Sequence, residues 1–191
     1  MKTVVVCGHS RKVGKTAVAA GLIEAFIEYR WTAIKISSHW HAGASVDEVC
    51  SIHEELVGGD TSDSSRLLAA GAARSFWIQV REERAGEAMP QLLPILQSGQ
   101  FLMIESNWIL RHIEPDVRIM VLRYDIEDFK DSARGMLARA DAVVAIHKGI
   151  FSPSWNDFAL TATAGIPSFR MPDPHTIPLG LLDLIRTRIA K

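Results

Sequence analysis

The feature that most restricts the fold is the segment over residues 4–16, which reads VVVCGHSRKVGKT. An apolar run ends at Gly8, a polar loop follows, and Gly14-Lys15-Thr16 precedes an amphipathic helical pattern. Backbone N–H groups of such a loop, together with the positive end of the helix, surround phosphate groups. Lys15 then reaches the β- and γ-phosphates, and the Thr16 hydroxyl ligates Mg²⁺. We therefore expect a site for GTP or ATP with Mg²⁺.

The loop is longer than the most common spacing by one residue, because five residues separate Gly8 from Gly14. It resembles the loops of dethiobiotin synthetase and of the cobyrinic acid amidating synthases. Arg11 and Lys12 either add positive charge beside the phosphates or are solvated loop cations. The expected nucleotide contacts are Gly8, His9, Ser10, Arg11, Lys12, Val13, Gly14, Lys15, Thr16 and Ala17.

Short apolar runs alternate with helical patterns along the chain, which is typical of a mostly parallel sheet covered by helices. We predict a three-layer α/β/α P-loop NTPase fold with a sheet of about seven strands, forming one nucleotide-binding domain over residues 1–191. The predicted strands are 3–7, 33–37, 75–80, 101–105, 117–122, 142–146 and 168–170. The predicted helices are 15–29, 64–70, 85–96, 130–139 and 179–189. Residues 39–61 and 150–164 are predicted to be irregular.

Composition excludes several classes of function. The 21 basic and 22 acidic residues nearly balance, so no overall charge attracts nucleic acid or an anionic membrane. No apolar stretch approaches the roughly 18 residues that a membrane span needs. The two cysteines, Cys7 and Cys50, cannot form a disulfide framework. We expect a soluble cytoplasmic protein.

Two carboxylates are candidates for the metal. Glu105 ends a buried-type strand, where nucleotide hydrolases of this fold hold Mg²⁺ directly or through water. Asp63 lies at the start of a helix and either caps it, as Ser62 also could, or acts as a second acid near Mg²⁺. We expect Lys15, Glu105 and Asp63 to carry catalysis, and Thr16, Glu105 and Asp63 to hold the metal.

The run Asp63-Ser64-Ser65-Arg66, followed after three residues by Ala70-Gly71-Ala72, resembles the molybdopterin-guanine dinucleotide biosynthesis protein B (MobB) family. That family also has a strand ending in Glu, which Ile104-Glu105 matches, and the shared order of motifs covers most of the chain. The resemblance implies GTP binding and an accessory role in molybdenum cofactor biosynthesis. It also implies molybdopterin or a cofactor-biosynthesis protein as a partner, and a homodimer.

Two departures from that family leave other functions open. The family loop normally has the shorter spacing, and its acidic strand usually continues Glu-Gly, whereas this chain has Glu105-Ser106-Asn107-Trp108. The alternatives are an ATP-dependent ligase or kinase of the dethiobiotin synthetase type, and a module that uses nucleotide only to switch partner binding. A slow nucleoside triphosphate hydrolase is the expected activity. Ser10 replaces the signature lysine of the MinD and ParA group, which disfavours that class.

The base preference and a further metal are undecided at this stage. Lys148 follows a late strand and either lies along the base or is solvated, and the Asn and Asp of the guanine-reading motif are absent. His39, His41, Cys50 and His53 are close in sequence and are of zinc-ligand type, but their spacing matches no zinc pattern. They bind a metal, contact substrate, or are ordinary loop residues.

Overall fold

Apolar runs rich in Val and Ile build the central sheet. The computed structural model describes residues 1–38, 47–150, 152–153, 155 and 165–190, and the strands within them form one eight-stranded sheet. The strands are β1 (Lys2–Gly8), β2 (Thr32–Ser37), β3 (Cys50–Glu54), β4 (Arg74–Val80), β5 (Phe101–Glu105), β6 (Val117–Arg123), β7 (Ala142–Ile146) and β8 (Ser168–Met171). Their order is β3-β4-β2-β5-β1-β6-β7-β8, and every pair is parallel except β3 with β4.

Helices cover both faces of the sheet. They are α1 (Lys15–Ala25), α2 (Asp63–Ala69), α3 (Ala85–Leu96), α4 (Asp131–Leu137) and α5 (Leu179–Ile189). Apolar side chains of α1, α2 and α5 share one core, whereas those of α3 and α4 belong to the other. This arrangement confirms the predicted three-layer α/β/α fold with a mostly parallel sheet. Over the described part of the chain, no helix has the length and apolar character that crossing a bilayer requires.

Strand β1 shows how one strand serves both cores. Val4 and Val6 lie in the core under α1, whereas Val5 and Cys7 lie in the core under α3 and α4. All four side chains are at most 1% exposed, because successive residues of a strand point to opposite faces and both faces are covered. The centre of the sheet therefore has no solvent-facing side.

The prediction of about seven strands missed β3. Cys50–Glu54 pairs antiparallel with β4 inside the stretch predicted to be irregular. Its sequence, Cys-Ser-Ile-His-Glu, has no continuous apolar run, because an edge strand outside the central layers buries little of its surface. The polar pattern of an edge strand resembles that of a loop, which explains the error.

The first helix is shorter than predicted. It ends at Ala25, and residues Ile27–Tyr29 form a 3-10 turn instead of continuing to residue 29. At the break, the carbonyl of Phe26 accepts the N–H of Tyr29 and also, at 2.9 Å, the indole N–H of Trp31. These two contacts satisfy a backbone acceptor at the helix end, where the chain turns into β2. The fourth helix is likewise shorter than the predicted span 130–139.

Candidate functional site

The candidate site lies at the carboxyl ends of three adjacent central strands, β2, β5 and β1. In open parallel sheets, ligands bind at this edge. The last residue of β1 is Gly8, and α1 begins seven residues later at Lys15. A cavity of about 730 Å³ opens there, and its lining extends from the loop residues 11–17 to Asp63 and Arg66 on α2 and to Pro174 and His175.

Two glycines shape the loop between β1 and α1. Gly14 has φ +99°, and a Cβ there would stand 2.8 Å from a methyl group of Ile146. A Cβ on Gly8 would stand 2.7 Å from a methyl group of Val13. Gly14 is also the N-cap residue of α1 and supplies no side-chain hydrogen bond to the helix. The first N–H groups of α1 therefore keep the capacity to bind an anion.

Lys15 folds back across the loop. Its ammonium group donates a hydrogen bond of 2.9 Å to the backbone carbonyl of Ser10. Burial lowers the pKa of Lys15, and the neighbouring charge of Lys35 lowers it further, while the carboxylate of Glu105 acts in the opposite direction. An anion bound in the loop would favour the charged form of Lys15 and raise its pKa.

The three predicted metal ligands come together. The Thr16 hydroxyl donates a hydrogen bond of 2.7 Å to the carboxylate of Glu105, a residue that is only 1% exposed. Asp63 approaches from α2, and its carboxylate lies 2.9 Å from the ammonium of Lys35. Hydroxyl and carboxylate oxygens are the ligands that Mg²⁺ prefers, so this set of donors suits that ion.

Lys35 is the central residue of this cluster, and the sequence prediction did not assign it a role. Its ammonium pairs with both Glu105 and Asp63, so one cation joins the two carboxylates. Burial acts to lower the pKa of Lys35, but the two carboxylates outweigh burial and raise it. The same cation lowers the pKa of Asp63 against the effect of burial, with help from Thr16 and Arg66.

The register of the sheet explains why Lys35 meets Glu105. The two residues are paired across β2 and β5 and lie at the same carboxyl edge. In the sequence, the signal was a lysine between apolar residues of a strand, since residues 32–37 read TAIKIS. A charged side chain in such a position needs a partner, but the partner is 70 residues away in the chain.

Asn107, which follows β5, holds the start of the loop. Its side-chain carbonyl accepts a hydrogen bond of 2.9 Å from the Gly8 N–H, and its amide nitrogen donates one of 2.8 Å to the Gly8 carbonyl. Ser106 N–H donates to the carbonyl of Val6 one step earlier. The Asn107 side chain therefore extends the pairing of β1 with β5 by one rung, where the strand ends.

His9 lies within the predicted phosphate contacts, but its imidazole faces the interior and is fully buried. Nε2 accepts a hydrogen bond of 3.1 Å from the Arg123 N–H, and Nδ1 is 2.9 Å from the Asp128 carbonyl. These partners require the proton to be on Nδ1 of a neutral ring, and burial lowers the pKa of His9 accordingly. The His9 N–H also donates to the carbonyl of Val121, and the His9 carbonyl accepts the N–H of Lys130, so the side chain and both backbone groups of His9 are paired within the fold.

The rest of the loop is distributed around the cavity. Arg11, Lys12, Val13, Gly14, Lys15, Thr16 and Ala17 line it. Ser10 instead donates a hydrogen bond of 2.5 Å to the carboxylate of Asp128. Lys12 has φ +57°, and its carbonyl accepts a hydrogen bond of 2.8 Å from Arg123. The loop is thus held by Arg123, the last residue of β6, and by Asp128, which follows that strand.

Ser62, and not Asp63, caps α2. The Ser62 side chain accepts the N–H of Ser65, and the Ser65 hydroxyl accepts the N–H of Ser62 in return. Asp63 is therefore released from a capping role, and its carboxylate meets Lys35. Gly71, at φ +101°, follows the end of the helix.

Other candidate residues do not converge on the site. Lys148 is exposed and does not line the cavity. Cys50 is buried and its thiol donates to Gln91, whereas His53 is exposed beside Glu55, so these two do not face one ion. His39 and His41 lie outside the described residues. Within those residues, no group of three or more His, Cys, Asp and Glu side chains forms a metal site.

Comparison with known proteins supports the fold. No protein-family model matches the chain, and no curated protein matches it. LpxK of Aquifex aeolicus, solved in complex with ATP, is similar with a TM-score of 0.54 and 14% identity over 89% of this chain and 53% of LpxK. HypB of Helicobacter pylori, solved in complex with nickel, is similar with a TM-score of 0.51 and 18% identity over 90% of this chain and 80% of HypB.

The chain therefore spans about half the length of LpxK. A MobB homologue from Bacillus stearothermophilus matches over 98% of this chain and all of its own length, with 17% identity and a TM-score of 0.44. That match is too distant to separate one family within the fold from another. The first two likenesses, together with the sheet and loop, confirm the predicted P-loop NTPase fold.

Proposed function

We propose that this chain binds a purine nucleoside triphosphate together with Mg²⁺ and hydrolyses it slowly. One observation carries the proposal: the Thr16 hydroxyl at the start of α1 contacts the buried carboxylate of Glu105 at 2.7 Å. Both residues line the same 730 Å³ cavity as Lys15. A helix start, a lysine and a hydroxyl–carboxylate pair are the parts that phosphoryl-transfer sites of this fold require.

Each residue then has a distinct task. Loop N–H groups and Lys15 bind the phosphates, while Thr16, Glu105 and Asp63 would hold Mg²⁺. When bound, the metal ion neutralises charge on the phosphate oxygens. Lys35 pairs with both Glu105 and Asp63 and so holds the two carboxylates close together until the metal arrives. The protein contributes positioning and fixed charge, because hydrolysis of a phosphate anhydride does not require a covalent bond between the phosphate and a side chain.

The finer assignment within our proposal is an accessory role in molybdenum cofactor biosynthesis. Its support is the sequence resemblance over Asp63–Arg66 and Ala70–Ala72. In the structure, Asp63 also pairs with Lys35, the same lysine that pairs with Glu105. Nucleotide binding itself draws support from LpxK, which shares the fold and was solved in complex with ATP. Molybdopterin is the ligand to test first in addition to the nucleotide.

Calorimetric titration with GTP and ATP, each with and without Mg²⁺, tests the proposal. We expect Mg²⁺-dependent binding of at least one nucleotide. A strong preference for GTP would favour the molybdenum cofactor role, and a preference for ATP would favour the alternative below. Absence of binding by either nucleotide would refute the proposal.

Lys15→Ala is the sharpest variant for this test. Removing the ammonium should weaken triphosphate binding by roughly 100-fold or more, because a buried charge pair is worth several kcal/mol. Lys2→Ala is the matched control, since Lys2 pairs with Asp116 at the amino-terminal end of β1, at the other end of this strand from the loop. Micromolar affinity in the Lys15 variant would contradict the assignment of the loop.

A second candidate function is an ATP-dependent ligase or kinase of the dethiobiotin synthetase type. The five-residue spacing between Gly8 and Gly14 favours it. A smaller cavity of about 210 Å³ beside Lys15 and Glu105 also favours it, because such an enzyme needs space for a second substrate at the phosphates. ATP-dependent consumption of a carboxylate or alcohol would distinguish this function from simple hydrolysis.

A further inference from the structure

The smaller cavity adjoins the larger one at Lys15, but Pro174 and His175 line only the larger cavity. It shares Arg11, Lys15, Lys35, Ser37 and Glu105 with the larger cavity, and its volume is about 210 Å³. This volume corresponds to roughly seven water molecules at their liquid density. It therefore suits a small molecule or one end of a larger one, next to the predicted position of the terminal phosphate.

The charge of the smaller cavity favours an anion. Its lining carries five basic side chains, Arg11, Lys15, Lys35, Arg111 and Lys130, against two acidic ones, Glu82 and Glu105. Arg111 pairs with Glu82, and Lys35 pairs with Glu105, so the acidic side chains already have cationic partners. An excess of positive charge therefore faces a space that is partly closed from solvent, where it attracts anions more strongly than on an open surface.

Trp108, a lining residue of the same cavity, carries an unsatisfied donor. Trp108 is only 6% exposed, and its indole N–H is buried without a hydrogen-bond partner among the described residues. Most buried polar groups are paired, and an unpaired one costs about 1–3 kcal/mol. The ring packs against His112, with the two ring centroids 4.4 Å apart and the ring planes tilted by 45°. A bound acceptor would complete this donor.

We infer that the smaller cavity binds a second substrate through an oxyanion, a carboxylate or a phosphate group, that accepts a hydrogen bond from Trp108 Nε1. Lys130 and Arg11 supply its charge balance, and Lys15 and Glu105 place it beside the nucleotide phosphates. The term "second substrate" rests on the proposed function, because it presumes that a nucleotide is the first substrate. The binding of an oxyanion at Trp108 does not depend on that function.

Nuclear magnetic resonance on protein with ¹⁵N-labelled tryptophan tests this inference. The indole signal of Trp108, assigned with Trp108→Phe, is followed during titration with inorganic phosphate and, separately, with succinate. The loop is occupied throughout by Mg²⁺ and a non-hydrolysable triphosphate, and both titrations are repeated without nucleotide. The reference signal is that of Trp31, whose indole already donates to Phe26 and lies at the opposite end of α1.

We expect a saturable shift of the Trp108 signal with one of the two probes and none of the Trp31 signal. The responding probe identifies the group as phosphate or carboxylate. Lys130→Gln should weaken binding of that probe roughly tenfold, while Lys2→Gln, at the amino-terminal end of β1, should change it less than about twofold. Trp108→Phe should also weaken it roughly tenfold by calorimetry.

The two proposals fail separately in this experiment. Absence of nucleotide binding in the same samples would refute the proposed function, while a Trp108 shift without nucleotide would still support the oxyanion site. An unchanged Trp108 signal with both probes, with the loop filled and empty, would overturn the inference. Equal affinities for Lys130→Gln and Lys2→Gln would overturn it too.

Discussion

At the residue scale, Lys35 determines the charge balance of the candidate site. Glu105 is 1% exposed, and a buried carboxylate without a partner is strongly unfavourable. Lys35 lies between Glu105 and Asp63, where it provides the counter-charge in the absence of a metal. A divalent ion at the same carboxylates would release Lys35 to face the phosphates. Lys35 and Mg²⁺ would thus neutralise the same two acids in turn.

This view predicts the behaviour of Lys35→Met. Without Mg²⁺ the variant should lose about 3–5 kcal/mol in its free energy of unfolding, because two carboxylates then lack their cation. Millimolar Mg²⁺ should restore part of that loss and should stabilise wild type much less. Urea unfolding with and without Mg²⁺ measures both effects, with Lys35→Arg as the variant that keeps the charge. Wild-type stability of Lys35→Met would contradict this role.

Cys7 provides a second residue-scale prediction, on pH. Burial raises the pKa of its thiol to about 12, despite the charge of Lys15, from an ordinary value of 9.0. Because the folded-state pKa is the higher one, the stabilisation is complete below pH 9 and is lost as pH rises towards 12. By pH 10 the free energy of unfolding should fall by about 1.4 kcal/mol from this group.

Unfolding of wild type and of Cys7→Ala, compared at pH 7 and pH 10, isolates that contribution from other titrating groups. The difference in free energy between the two proteins should shrink by the same amount at the higher pH. An equal pH dependence in both would mean that Cys7 ionises as easily in the folded state as in the unfolded chain.

At the element scale, the end of β1 depends on a side chain from the segment after β5. Asn107 gives and accepts one hydrogen bond with Gly8, so it acts as a further rung of the sheet where the loop begins. Asn107→Ala should lower the free energy of unfolding by about 1–3 kcal/mol, since two backbone groups lose their partner. Chemical denaturation provides the measurement.

Asn107→Asp separates the two hydrogen bonds. The carboxylate retains an acceptor for the Gly8 N–H but repels the Gly8 carbonyl, so this variant should be at least as unstable as Asn107→Ala. If Asn107→Asp were as stable as wild type, the hydrogen bond donated by the amide to the Gly8 carbonyl would contribute nothing to stability, and only the bond accepted from the Gly8 N–H would matter.

The elements differ in how much of them the sequence could predict. Strands in the centre are apolar runs, so β5 and β7 were predicted with the bounds that they have. The edge strand β3 was missed, because its hydrogen bonds to β4 leave no periodic apolar signal. The end of α1 was misplaced, because the hydrogen bonds from Tyr29 and Trp31 to the Phe26 carbonyl leave no periodic signal in the sequence.

The candidate site follows the same rule. Lys15, Thr16 and Glu105 were predictable, since each occupies a fixed place relative to a strand end or helix start. The roles of Lys35, Asn107 and Trp108 depend on register and on packing between distant segments, which one sequence does not display. The burial of the His9 side chain also depends on residues more than 100 positions later.

At the scale of the whole molecule, the site joins the carboxyl ends of three strands to two helices, α1 and α2, that also contact each other. α1 and α2 approach from one face, and β1, β2 and β5 end beneath them. The outer strands β3 and β8 lie at the two edges, away from this junction. A ligand that contacts Lys15, Asp63 and Glu105 together should therefore stabilise the centre more than the edges.

Hydrogen exchange with bound Mg²⁺ and nucleotide tests this distribution. At a ligand concentration of 100 times Kd, global unfolding should become less favourable by about 2.7 kcal/mol. Amides of the loop, α1 and β1 that exchange only by large openings should gain that protection. Amides at the exposed edge of β3, which exchange by local fraying, should gain almost none. Lys15→Ala should show neither effect, because it does not hold the ligand. Equal gains in β3 and in the loop would mean that nucleotide stabilises the sheet as one unit and that the edges do not open independently.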